Sequence, residues 1–586
     1  MLCRLWLKNN IAQLSLAVAV VSTFVIAGLR VYFSHMSGFM TQDEGLYFYS
    51  VLLSERAGYF VSSYGSRLGF QILQYLISLA LGIHNVFGYL TIGPLLSAMW
   101  SSIAVYAIYR IASDITPERW VRGLSILALP LFYVYSLMTP FALSEPPALA
   151  MTMLGIYCSY HAYKNRQLWL FVPSILVFYA AYTIRETFAL YSGLPILLII
   201  LLFDRVLWKK DRRFGVVFLA AAAFVTYYGF TELLSRLLGL PFSVSLVTLA
   251  VYRIAVLDGW TPWLWGLSIF GFGTLAYFVI HGKDRRYDPL FLVVIISQVT
   301  LLFEYSLYFA ANIDASFISS AYLSANLRYS YAGLPGAFVG VLFGAVGLRA
   351  VFSKIMSLSL PRKLRVNPAP LVMLLILLLA LGWNVQQGTN LLGLSQSALQ
   401  EQQMMTSGSF NPIPPTTIPP GNWGNKTVPP GNGGNKTIPP GNQTCTVPTP
   451  IGQYGNFSSV SRLSPLYRSQ PLMLYQYIES FMKTHPQSKV LVILPGDIVH
   501  SIRVRDFLFA IPSVYTADLP SSFQVLQQLV RDPAYSLVLV YGEYFSGYYA
   551  TLSVVPGYFS GVMCDQTAIR VIPIWTWYEG YLYQLS

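Results

Sequence analysis

Apolar residues fill the first 390 positions in long blocks, without the alternation expected of a soluble sheet. The first block runs from Ile11 to Phe33. A helix of about 20 residues is long enough to cross the roughly 30 Å of bilayer hydrocarbon, so this block predicts a membrane span. It is too long for the core of a signal peptide and lacks a small-residue cleavage pattern. Comparable blocks near 86–109, 123–138, 147–163, 168–184, 188–206, 215–232, 262–281, 289–310, 333–352 and 369–386 bring the expectation to eleven transmembrane helices. Between the first two spans, the loop 34–85 carries two amphipathic patterns, Gly45–Glu55 and Leu68–Leu81, which predict helices lying along the membrane surface.

Beyond residue 390 the pattern changes twice. Residues 391–460 contain a repeat, Ile418-Pro-Pro-Gly-Asn-Trp-Gly-Asn-Lys-Thr427, then Val428-Pro-Pro-Gly-Asn-Gly-Gly-Asn-Lys-Thr437, then the shorter Ile438-Pro-Pro-Gly-Asn-Gln-Thr444. Pro withholds donors and Gly adds chain entropy, so this segment is read as a solvated linker, semi-extended at each Pro-Pro. Residues 461–586 return to short elements. Helices near 466–483, 498–509 and 522–531 and strands at 489–494, 536–541 and 568–574 predict a small α/β domain with a partly parallel sheet. Pro495-Gly-Asp497 after the first strand reads as a structural turn, without a phosphate-loop or dinucleotide fingerprint.

Charged residues make up 10% of the chain and hydrophobic ones 55%, and the formal net charge is +13. The basic residues cluster in short loops: Arg4 and Lys8; Arg110, Arg119 and Arg122; Lys164 and Arg166; Lys209 to Arg213; Lys283 to Arg286; and Lys354 to Arg365. Such clusters mark the cytoplasmic side, and eleven spans accommodate all of them there with the N-terminus inside. The charge is therefore topological, and no nucleic-acid partner is expected. The tail and its domain then lie on the extracytoplasmic side. Four sequons, at Asn425, Asn435, Asn442 and Asn456, fall in that tail, where they can be glycosylated. Cys445 and Cys564 share the same oxidising side and are disulfide candidates.

The same topology gathers acids and arginines from separate loops onto the outer face, among them Asp43, Glu44, Glu55, Arg56, Arg67, Glu145, Arg185, Glu186, Asp258, Asp314 and Arg328. Ionisable groups at membrane depth are costly and mark polar sites or substrate paths. Glu145 stands in Leu143-Ser-Glu-Pro-Pro147 at the outer start of a span, where helix capping alone explains an acid. Arg185-Glu186 reads as a loop ion pair near the membrane surface.

Taken in order, these motifs resemble the type-C glycosyltransferases, in particular protein O-mannosyltransferases and bacterial aminoarabinose transferases. A first span followed by Asp43-Glu44-Gly-Leu-Tyr resembles the family's Asp-Glu motif. Ser144-Glu145-Pro resembles its second-loop acidic motif, and Thr183-Ile-Arg185-Glu186 and Asn326-Leu-Arg328-Tyr329 resemble recurrent segments. The resemblance covers residues 1–390, and a trailing soluble domain is a variable family feature. It implies transfer of a sugar from a polyprenyl phosphate carrier to an extracytoplasmic acceptor, with inversion. Asp43 is then the candidate base for the acceptor hydroxyl, with Glu44 and Glu145 in support. Arg67, Arg185 and Arg328 are candidate clamps for the leaving lipid phosphate. A divalent ion held by Asp43 or Glu145 stays open. In place of the family's Pro-Pro after the basic residue, this chain has Leu68-Gly69.

Two other functions compete. Oligosaccharyl transfer to Asn would call for a Trp-Trp-Asp-Tyr-Gly signature, and Trp575-Thr-Trp577-Tyr578-Glu579-Gly580 departs from it in order and position. A lipid-sugar flippase would use intramembrane Glu304, but related halves are not visible. In a host that N-glycosylates, peptide N-glycosidase should lower the apparent mass of the protein, and Asn→Gln at all four sequons should abolish that shift. A wild-type protein glycosylated at none would place the tail on the opposite side.

Overall fold

The computed structural model describes residues 2–37, 42–62, 67–83, 86–139, 141–202, 261–281, 285–312, 327–359, 368–391, 470–494, 508, 513–518, 523–543, 571–577 and 580–586. The chain divides into two compact units, one of residues 1–33 with 53–389 and one of 34–52 with 390–586. The predicted span 215–232, the linker repeat, the four sequons and both Cys445 and Cys564 lie outside the described residues.

The first unit is helical. Its helices begin with α1 (Leu2–Ser37) and, after α2 (Gln42–Ala57), whose residues 42–52 fall in the second unit, continue with α3 (Leu68–Leu81), α4 (Val86–Ile115), α5 (Arg119–Ala128), α6 (Tyr133–Met138) and α7 (Glu145–Asn165). After them come α8 (Phe171–Ile184), α9 (Gly193–Leu202), α10 (Pro262–His281), α11 (Asp288–Asn312), α12 (Leu334–Ser359) and α13 (Ala369–Leu391). The two loop helices expected from amphipathicity are α2 and α3, and α3 has the predicted bounds.

Five described helical segments are long and apolar enough to cross a membrane: Asn10–Val31, Gly88–Ile115, Pro262–His281, Ser330–Ile355 and Ala369–Gln386. Their apolar surface lies where hydrocarbon would cover it. Leu14, Val18, Val21, Val25 and Leu29 are exposed along α1 at spacings of three and four, and Leu371, Leu374, Leu378, Leu381 and Val385 repeat the pattern on α13. The segments expected at 168–184 and 188–206 appear as shorter apolar helices.

The predicted span 123–138 is not continuous. α5 gives way to a 3-10 turn at Leu129–Leu131, and the chain restarts as α6. Pro130 sits in that turn and cannot donate to a continuing helix. The freed carbonyl of Leu131 is recovered by distant groups, accepting from the Thr261 hydroxyl at 2.8 Å and the Asn384 amide at 2.5 Å.

Helix pairing in this unit depends on small residues. Gly271 of α10 lies against the backbone of α12, where a Cβ would meet the Gly340 carbonyl and, at 2.6 Å, the Gly344 nitrogen. Gly340 and Gly344 face Ser268 and Leu267 in return, and Gly336 packs on Ser297 of α11. Lipid tails are as apolar as leucine, so close backbone approach along a small-residue stripe supplies the packing energy that helix association needs in a bilayer.

The C-terminal domain in the second unit carries α14 (Gln470–Thr484), α15 (Phe523–Val530) and a five-stranded sheet of β1 (Val490–Leu494), β2 (Val514–Asp518), β3 (Leu537–Glu543), β4 (Val571–Trp577) and β5 (Gly580–Leu585), in the order β2-β1-β3-β5-β4. β1 pairs parallel with β2 and β3, and β5 pairs antiparallel with β3 and β4. The central β1, Val-Leu-Val-Ile-Leu, is buried throughout, as a strand enclosed on both faces must be. The sheet is thus partly parallel, as expected from the sequence, while β2 and β5 were not foreseen. Trp575 and Trp577 belong to β4, and Trp577 pairs with Gly580 across a tight hairpin, so an aromatic strand accounts for that segment.

Gly271→Ala should cost about 1–3 kcal/mol through overpacking against backbone that cannot yield, read as a lower thermal midpoint in detergent. Gly273→Ala, where a Cβ meets nothing within 4 Å, should leave it unchanged.

Candidate functional site

α7 and α8 run antiparallel, joined by a short 3-10 turn at Leu168–Leu170, so the start of α7 and the end of α8 share one end of the pair. Glu145 opens α7 with Pro146 and Pro147 behind it, residues that suit a first turn whose amides have no helical acceptor. α8 ends at Arg185, whose amide closes the last turn on the Ala181 carbonyl while its backbone becomes extended. The two charged side chains meet there. Arg185 Nη1 lies 3.0 Å from Glu145 Oε1, and the side chains are 2% and 1% exposed.

Neighbouring hydroxyls complete the contact. Ser144 Oγ donates to Glu145 Oε2 at 3.3 Å and accepts from Arg185 Nη1 at 3.3 Å, and Arg185 Nε donates to Thr187 Oγ1 at 3.2 Å. The polarity of the backbone suits the arrangement, since an acid at a helix start and a cation at a helix end each oppose the local macrodipole charge.

Arg185 and Glu186 do not pair with each other, contrary to the loop ion pair expected from the sequence. The extended backbone at Arg185, with φ −153°, sends successive side chains to opposite sides. Glu186 consequently faces Arg67, at 3.8 Å between Oε2 and Nε. Arg67 caps the start of α3 in the left-handed conformation, with φ 59°. Its neighbour Gly69 explains the departure from Pro-Pro: a Cβ there would enter Thr183, coming within 2.8 Å of its backbone carbon. Glycine thus lets α3 lie directly on the end of α8, next to the Arg185-Glu186 dipeptide.

The 3-10 segment Leu327–Gly333 packs against α6 and α7. Tyr331 in that segment is fully buried, and the carbonyl of the next residue, Ala332, accepts from the Tyr191 hydroxyl at 2.6 Å. Thr139 Oγ1 donates to Ser101 Oγ at 3.1 Å, and Tyr135 meets Thr23 of α1 at 3.3 Å. Arg328 belongs to the same 3-10 segment, three residues before Tyr331, and its side chain lies outside the described residues.

On the other side of the acidic loop, the buried Arg30 of α1 places its guanidinium over the Phe141 ring at 5.3 Å, while the Phe141 carbonyl accepts from Ser97. Neither Arg30 nor Tyr331 was singled out from sequence. Arg30 had a signal, as an arginine inside a predicted span, whereas Tyr331 is one of 41 tyrosines and had none.

Asp43 and Glu44 stand in the first turn of α2, within the stretch 34–52 of the second unit, and their side chains lie outside the described residues. Glu304 belongs to α11, with its side chain likewise undescribed. Among the described residues no three His, Cys, Asp or Glu side chains gather as a metal-binding group. Glu145 has Arg185 Nη1 at 3.0 Å from Oε1 and Ser144 Oγ at 3.3 Å from Oε2.

The chain matches no protein-family model and no curated protein sequence. Among solved structures it is similar to ArnT from Cupriavidus metallidurans bound to undecaprenyl phosphate, with 11% identity, 97% of each chain covered and a TM-score of 0.47. The same ArnT in the apo state gives 12% identity over 97% of this chain and 98% of that one, with a TM-score of 0.45. The Archaeoglobus fulgidus oligosaccharyltransferase in the apo form gives 8% identity over 92% of this chain and 70% of that one, with a TM-score of 0.48. Both proteins are type-C glycosyltransferases. Backbone agreement below 0.5 on this scale gives no residue-by-residue correspondence, so the functional reading rests on this chain's own side chains.

Glu145→Gln should strand the buried Arg185 charge and cost about 3–5 kcal/mol, measured as loss of the thermal midpoint. Adding Arg185→Met to that variant should restore most of the loss; an unrestored double variant would show that the pair is not the source.

Proposed function

We propose that this chain is a membrane glycosyltransferase that moves a sugar from a polyprenyl phosphate donor to an extracytoplasmic hydroxyl acceptor, with inversion. The observation that supports it most directly is the site built on Arg185-Glu186, where two ion pairs tie together the starts of α3 and α7 and the end of α8. The ion pairs Lys164–Asp114 at 3.3 Å and Arg349–Glu118 at 2.8 Å, elsewhere in the unit, keep between 31% and 43% of their side chains in contact with solvent. The Arg185–Glu145 pair is buried, and burying charge in that way is costly unless the charge has work to do.

In this reading the donor's sugar-phosphate bond lies with its phosphate toward the arginines. As the bond breaks, negative charge grows on the lipid phosphate, and a guanidinium held in place stabilises that charge more than it stabilises the ground state. Arg67 and Arg328 are the candidate clamps for that phosphate. Arg185 holds Glu145 in position. Asp43 takes the proton of the acceptor hydroxyl as it attacks the anomeric carbon, and Glu44 helps to orient the acceptor. The domains we propose are a catalytic membrane part over 1–390, a glycosylatable linker over 391–460 and an extracytoplasmic α/β domain over 461–586.

Purified full-length protein incubated with a panel of polyprenyl-phosphate sugars should release lipid phosphate. Asp43→Asn should lower turnover by about 10²–10⁴-fold, the range that a positioned proton acceptor contributes. Undiminished turnover in that variant would remove Asp43 from the role, and movement of labelled lipid-sugar across the bilayer without transfer would favour a flippase.

A further inference from the structure

α4 and α7 pack against each other, and the end of the pair remote from Glu145 carries a second polar cluster. His161 lies more than four helical turns beyond Glu145, about 24 Å along α7, which is most of the thickness of a bilayer. Met99 and Tyr106 are exposed on α4, within the apolar segment Gly88–Ile115. The same stripe continues one turn further to the exposed Arg110. An arginine in that position ends a face that hydrocarbon would cover.

Arg110 is held there by aromatic groups. Its Nη1 donates to the Tyr106 hydroxyl oxygen at 3.2 Å, and its guanidinium stands over the Tyr157 ring of α7 at 5.9 Å from the centroid. Tyr157 leans in turn on His161, with ring centroids 5.9 Å apart. The nearest acid in the chain, Asp114, is four residues on and suitably spaced for Arg110, yet it pairs with Lys164 at 3.3 Å. Among the described residues Arg110 therefore has no carboxylate within ion-pair distance. A guanidinium fixed beside tyrosines at the end of an apolar span lies at the level of lipid headgroups.

We propose that Arg110, Tyr106 and Tyr157 form a headgroup site for one anionic phospholipid of the bilayer, whose acyl chains lie along the exposed stripe of α4. The guanidinium fork pairs with two phosphate oxygens. Tyr106, which accepts from Arg110, keeps its own hydroxyl proton to donate to the same phosphate. Tyr157, backed by His161, keeps the guanidinium in place. Every phospholipid has a phosphate, so the preference for an anionic one comes from the rest of the headgroup. Lys164 and the exposed Arg166 stand at this end of α7 and disfavour the ammonium of a zwitterionic lipid. The site is separate from the proposed donor site and does not depend on it.

The test is native mass spectrometry of the full-length protein offered equal amounts of phosphatidylglycerol and phosphatidylcholine, scoring which lipid binds first. Wild type should prefer phosphatidylglycerol by about fivefold, the effect of one arginine at a charged headgroup, and Arg110→Gln should abolish that preference. Arg110→Lys, which keeps the charge and loses the fork, should retain about half of it. Tyr106→Phe should lower it by about two- to fivefold through loss of one donor. Arg285→Gln, at an exposed basic residue outside the cluster, should stay within about twofold of wild type. In nanodiscs, added phosphatidylglycerol should raise the thermal midpoint of wild type and leave that of Arg110→Gln unchanged. An undiminished preference in Arg110→Gln, or an equal loss in Arg285→Gln, would overturn the site. So would displacement of phosphatidylglycerol by an equal concentration of polyprenyl phosphate or of inorganic phosphate, which would assign the contact to the carrier or to a free anion.

Discussion

The buried contact between Glu145 and Arg185 is the constraint from which the rest of this site follows. Two charges removed from water are held only if each is matched closely, and here the match uses backbone as well as side chains. The acid stands at the start of α7 and the cation at the end of α8, where antiparallel packing sets opposite helix termini side by side. Ser144 and Thr187 supply the remaining polar contacts, and both are chain neighbours of the pair. Nothing in this arrangement tolerates a helical continuation of α8. The extended residue at Arg185 is what turns the arginine inward and the next residue toward α3.

Much of the architecture was legible in the sequence because period and composition encode it directly. The amphipathic pattern Leu68–Leu81 is α3 to the residue, and the strands at 489–494 and 536–541 are recovered as β1 and β3 with small boundary shifts. The break in the span at 123–138 depends on Pro130 and on Thr261 and Asn384, which accept its consequences from more than a hundred residues away. A hydropathy block carries no trace of those partners. β2, Val-Tyr-Thr-Ala-Asp, and β5, which opens on glycine, lack the apolar run that identifies a buried strand, and their place is set by pairing with β1 and β3.

Of the candidate site residues, Glu145, Arg185 and Arg67 are brought together by two ion pairs, while the pair expected between Arg185 and Glu186 does not form. Adjacency in a chain suggests contact only where the backbone curls, and a residue in the extended region separates its neighbours. Gly69 illustrates the same limit. In the sequence it marks a departure from a family pattern, whereas in three dimensions it is the residue that lets Arg67 approach Glu186, because any Cβ there would enter Thr183.

The difference in tightness between the two ion pairs also has a physical origin. A pair sealed in low dielectric cannot be half-broken without a large penalty, so Arg185 and Glu145 act as a single rigid unit. The Glu186 carboxylate keeps about one-third of its surface in water, so its 3.8 Å contact with Arg67 is screened by solvent. One dipeptide thus anchors a sealed ion pair on one side and a longer, partly solvated one on the other. The extended residue Arg185 is what separates them, since it turns one side chain toward α7 and the next toward α3.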